Sequence, residues 1–113
     1  MGRPSDMKGP PHRPMNAVQI IEEFTVFMQK EDSVCRHWFV GTTSRSADET
    51  LRRHGVRGDM DPWIYRLAES QEVAVSVQDY FHRLGAGADT SPERDDKEAA
   101  AVYAYLMFEH TNP

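Results

Sequence analysis

A single cysteine, Cys35, is all the sulfur–sulfur chemistry this sequence holds. It cannot form a disulfide within the chain, so a reducing, cytoplasmic setting is expected. Long hydrophobic runs are missing as well: no stretch approaches the ~18 apolar residues of a membrane span. Met1-Gly2-Arg3-Pro4-Ser5-Asp6 carries no apolar leader segment, and Asp6 stands where an N-myristoylation signal wants Ser or Thr. An excess of positive charge is absent too. Lys and Arg number 13 against 18 Asp and Glu, a net charge of −5, so the whole chain is not a generic polyanion binder. A His-Glu-x-x-His motif, paired cysteines and a calcium-loop pattern are also lacking, and no cofactor is expected from the residues alone.

What remains is ordinary globular composition, 39% hydrophobic and 27% charged over 113 residues, the size of one domain. Pro4, Pro10, Pro11 and Pro14, with Gly2 and Gly9, mark residues 1–14 as a disordered arm. Residues 15–109 are expected to form the globular domain, and 110–113 a tail. Asn16 and Gln19 form a capping-box pattern, and Ala17, Ile20, Phe24, Phe27 and Met28 follow at helical spacing, so a helix is expected to about Lys30. Val34 to Thr42 reads as a strand covered on both faces. Ser46-Ala47-Asp48-Glu49 opens a short helix with Leu51 as its apolar residue, and Gly55 closes it. Trp63 to Ala68 reads as a second strand. A helix capped by Ser70 follows, with the stripe Val73, Val77, Tyr80, Phe81 and Leu84, and ends at Gly85. The polar stretch from Gly85 to Asp96 reads as a connector, and Val102 to Phe108 as the third strand. The fold class is therefore α/β or α+β: a three-stranded sheet with three helices packed on it, in the order helix-strand-helix-strand-helix-strand.

The charge is unevenly spread. Between Arg36 and Arg57, the arginines Arg36, Arg45, Arg52, Arg53 and Arg57 face only Asp48 and Glu49. Between Asp89 and Glu109 the acids predominate. The arginine group, with His37 and His54, has the chemistry to contact phosphates or an acidic protein, and Trp38, Trp63 and Tyr65 are candidate stacking surfaces for unpaired bases. The alternative is that the tryptophans are core residues and the arginines cover helix ends. Asp79 and His82 share a helix face at i, i+3, which a polar helix face explains, and Asp59 and Asp61 flank Met60 in a loop. Cys35 and His37 share a face if the segment is a strand; a buried, inert thiol is the expectation. Gly85-Ala86-Gly87 opens no helix with Gly-Lys-Ser/Thr and reads as a connector rather than a phosphate loop.

Phe39-Val40-Gly41-Thr42-Thr43, followed by a short helix ending in Arg52-Arg53-His54, resembles the second motif of the GIY-YIG endonuclease superfamily. The resemblance covers residues 38–84. It implies an Arg and a His on the short helix and a metal-binding acid on the later helix, here near Gln78 or Asp79, so that His54 and Asp79 would be the site residues and Mg²⁺ the cofactor of a nuclease. The departures are in the chemistry. Phe39 replaces the motif tyrosine, a helix stands where a Gly-Ile-Tyr strand would precede it, and Gln78 supplies no charge for a hard cation. The second half of the chain also looks like small uncharacterised bacterial proteins, a similarity that implies no function.

Three functions follow. The first is a non-catalytic module that holds nucleic acid or an acidic partner on the face of Arg36, Arg45, Arg52, Arg53, His54 and Arg57. The second is a divergent metal-dependent nuclease. The third is a protein–protein interaction module.

Overall fold

The computed structural model describes residues 13–88 and 100–113. The proposed arm, apart from Arg13 and Pro14, lies outside the described residues, as does most of the acidic loop.

Helix α1 spans Ala17–Glu31 and is opened by the expected capping box: Asn16 Oδ1 accepts from the Gln19 amide at 2.8 Å, and Gln19 Oε1 from the Asn16 amide at 3.1 Å. Its buried residues, Ile20, Phe24 and Met28, recur at every fourth position. Beyond the helix, Asp32 redirects the chain. One carboxylate oxygen accepts from the Val34 amide at 2.9 Å, the other meets His37 Nδ1 at 3.0 Å, and the Asp32 carbonyl accepts from Trp38 Nε1 at 2.8 Å. These local bonds compete with strand pairing. Cys35–His37 is therefore a single 3₁₀ turn rather than the start of a strand, and β1 runs Trp38–Thr43.

Helix α2, Ala47–Arg53, is capped by Ser46 Oγ on the Glu49 amide at 3.1 Å. Strand β2 is Trp63–Leu67, and helix α3, Gln71–Arg83, is capped by Ser70 Oγ on the Val73 amide. Both helices close in the same way. Gly55 (φ 72°) and Gly85 (φ 113°) take the left-handed conformation. The amides of the residues after them, Val56 and Ala86, reach back to the carbonyls of Leu51 and Phe81 at 3.0 Å. This is the paired bonding that satisfies a helix's last carbonyls.

The supposed connector after α3 contains a further strand, β3, Gly87–Ala88, beside β1. Strand β4 is Ala101–Leu106, shorter than the expected Val102–Phe108, because Thr111 Oγ1 bonds both the amide and the carbonyl of Phe108 and turns the chain. The architecture is therefore a four-stranded mixed sheet, ordered β2-β4-β1-β3, with three helices. Strands β1 and β2 are antiparallel to β4, and β3 is parallel to β1. A two-residue strand has no periodicity of its own, which is why it reads as loop.

Alternation along the strands divides the core into two layers. Trp38, Val40, Ile64, Val102 and Ala104 face α1 and α3, where Phe24 stacks on Phe81 at 5.9 Å. Phe39, Trp63, Tyr103 and Tyr105 face α2, with Leu51 and Val56. Arg66 is buried and ties β2 to α1 through Glu23 at 2.7 Å. Helix α3 buries Ala74, Val77, Gln78 and Phe81. Tyr80 and Leu84, expected in its stripe, are 40% and 55% exposed: the buried line runs through Ala74 and Gln78, on the other side of Val77.

A candidate binding surface around the second helix

On the α2 side of the sheet, Ala47, Leu51, Val56, Gly58 and Trp63 line an open groove of about 410 Å³, with Asp48 and Arg52 at its margin. Trp63 is 6% exposed and fixed by its indole N–H on the Gly58 carbonyl at 2.9 Å, so it forms a floor rather than a projecting ring. Trp38 is fully buried on the opposite face. Neither tryptophan offers the free stacking surface that its sequence context allows. Tyr65 is half-buried and donates to the Arg45 carbonyl at 2.7 Å; burial pushes its phenol up from the ordinary value.

Four of the five arginines belong to α2 and its flanks. Arg45, just before the N-cap, meets Glu49 at 2.7 Å, and Arg52 pairs with Asp48, both at i, i+4 spacing. Arg53 and Arg57 are exposed and have no ion pair among the described residues. Arg36 is elsewhere: it lies on the 3₁₀ turn, close to Gly85 at the end of α3. Exposed i, i+4 pairs are weak and exchange readily with a partner's charges.

His54 caps the C-terminal end of α2. Its Nδ1 lies 2.8 Å from the Asn112 carbonyl and its Nε2 2.8 Å from the Tyr103 hydroxyl; the Tyr105 hydroxyl is 3.1 Å from Nδ1. A carbonyl only accepts, so Nδ1 carries the proton and Nε2 receives Tyr103. The ring also leans on Phe39 at 5.3 Å. Burial, and behind it the neighbouring Tyr103, pushes the Tyr105 phenol far above its ordinary range. The sequence signal for this cluster is the alternation Tyr103-Ala104-Tyr105, which puts two tyrosines on one face of β4.

Asp79 lies on α3, across the sheet from His54, and turned away from that helix's buried residues. The structure therefore does not bring the two proposed nuclease residues together. His82 lies 3.1 Å from the Ala86 carbonyl. Asp59 is exposed, whereas Asp61 is buried and accepts from the Arg57 amide at 2.9 Å and from His110 Nε2 at 2.6 Å. Cys35 is half-buried against the Phe81 carbonyl, and burial raises its thiol pKa; His37 is engaged with Asp32 instead. Among the described residues, no three His, Cys, Asp or Glu side chains gather closely enough to hold a metal ion. No helix among them is long and apolar enough to cross a membrane. Compared with protein-family models, with curated proteins and with solved structures, the chain matches none.

Proposed function

We propose that this chain is a non-catalytic binding module that holds an acidic protein segment against α2, with an apolar side chain of that segment seated on the Trp63 floor. One observation carries the reading: an apolar groove opens beside the stretch of the chain whose charge opposes that of the whole. From Arg45 to Arg57 four arginines stand against Asp48 and Glu49, in a chain of net charge −5. Both acids are already engaged by arginines, while Arg53 and Arg57 are exposed and carry no ion pair among the described residues. A cleft of a few hundred Å³ with an apolar floor and charged margins is the usual form of a small binding site. Opposite charge on the partner speeds encounter and fixes orientation.

Nucleic acid is the competing partner for the same arginines, and anisotropy titrations separate the two. The probes are a short Asp/Glu-rich peptide with one central tryptophan, the same peptide with the tryptophan replaced by serine, and single- and double-stranded oligonucleotides. Each is run at low and high salt, with and without Mg²⁺. The proposal expects salt-sensitive binding of the first peptide, weaker binding of the second, and loss of binding in Arg52→Ala/Arg53→Ala with the fold intact. Oligonucleotide binding without peptide binding overturns it in favour of nucleic acid. Cleavage of an oligonucleotide that depends on Mg²⁺ overturns it in favour of the divergent nuclease.

A further inference from the structure

His110, Thr111 and Asn112, within the stretch read from the sequence as a tail, pack on the α2 layer. The Asn112 amide donates to the His54 carbonyl at 2.6 Å, and the His54 ring returns a bond to the Asn112 carbonyl at 2.8 Å. Between these residues the chain passes close over Gly55: a Cβ there would stand 2.8 Å from the His110 carbonyl. Gly55 is thus needed twice, for its left-handed backbone and for the passage of the C-terminal segment. His110 stacks on Phe108 at 5.5 Å and reaches Asp61, which is 6% exposed, at 2.6 Å.

Asp61 also organises the loop that forms one wall of the groove. Its carboxylate accepts from the Arg57 amide, and the amides of Met60 and Asp61 return to the Arg57 carbonyl at 2.9 and 2.7 Å. The enclosed Gly58 lines the groove and holds the Trp63 indole. One buried carboxylate therefore receives bonds from the groove wall and from the C-terminal segment.

We propose that Phe108–Asn112 is a regulatory strap: clasped by His54 and by Asp61, it holds the 57–61 wall in its binding form, and its release loosens the groove. The regulatory consequence rests on the groove being the binding site; the mechanical coupling does not. A buried carboxylate that loses a partner carries a large penalty, so the loop reorganises when His110 lets go. Local opening of that kind is the low-stability motion from which switches are drawn.

The test is amide hydrogen exchange on the full chain, comparing the native protein with His110→Ala and His110→Gln. In His110→Ala, Met60 and Asp61 should exchange roughly tenfold faster, about the loss of one charge-assisted hydrogen bond. Asn112 should accelerate with them, while β1 and β4 stay protected. Glutamine, which still donates to Asp61, should recover part of the protection. Acceleration at Asn112 alone, with the 57–61 amides unchanged, overturns the coupling and makes the tail a passive cover. This readout needs no ligand. If coupling is seen but the tryptophan peptide fails to bind, the fault lies with the groove reading and not with the strap.

Discussion

Gly41 lies directly opposite Tyr103 in the antiparallel pairing of β1 with β4, and the tyrosine ring fills the space that a side chain at Gly41 would need. A Cβ there would stand 2.5 Å from the Tyr103 hydroxyl and 2.7 Å from Cζ. The same hydroxyl meets His54, so the glycine, the tyrosine and the helix cap form one packed unit.

Gly41→Ala should therefore destabilise the protein by about 1–3 kcal/mol, the usual cost of overpacking a filled site. Urea denaturation checks this. Adding Tyr103→Leu should return less than the two separate losses combined, because the residues share one space.

The glycine also shows where sequence reading stops. Phe39-Val40-Gly41 draws attention as a fragment of a motif, yet the reason for Gly41 lies more than sixty residues away, across a strand pairing that local sequence cannot reveal. The helices were legible because their signals are local: Asn16 with Gln19, Ser46, Ser70, Gly55 and Gly85 all sit where expected. The Cys35–His37 turn was not, because it depends on Asp32 reaching forward to Val34, His37 and Trp38. The arginines were legible as a group in the sequence, but their division was not. Arg45, just before α2, and Arg52, within it, turn to acids of α2, whereas Arg36 lies near the end of α3. The docking of His110 on Asp61 joins residues 49 positions apart in the sequence and has no local signature.

Arg52→Ala/Arg53→Ala should change stability by less than about 0.5 kcal/mol, because exposed side chains and surface ion pairs contribute little. The same variant should lose peptide binding. Thermal unfolding beside the anisotropy titration checks both halves; a large stability loss would mean that these arginines hold the fold together.

Tyr65 and Tyr105 should ionise later than free tyrosine as pH rises, since burial raises both phenols. The folded state favours the neutral form. Its contribution to stability is therefore complete below the ordinary tyrosine pKa of about 10 and is lost progressively as pH rises beyond it. Absorbance at the phenolate band, followed alongside the unfolding midpoint, should show delayed tyrosine ionisation and falling stability across the same alkaline range.

Cys35 should react sluggishly with a thiol-specific disulfide reagent at neutral pH, because burial disfavours its thiolate. The rate should rise toward that of a free thiol in urea. A fast native reaction would mean that His37 or Arg36 activates the sulfur.

A binding groove at α2 is tested most directly by titrating the isotope-labelled full chain with the tryptophan-bearing acidic peptide at low salt, followed by NMR. The Trp63 indole resonance and the amides of Ala47, Leu51, Val56 and Gly58 should shift together and saturate, and high salt should weaken the effect. Shifts confined to other surfaces, or none at peptide concentrations that saturate a weak site, would contradict a binding groove at α2.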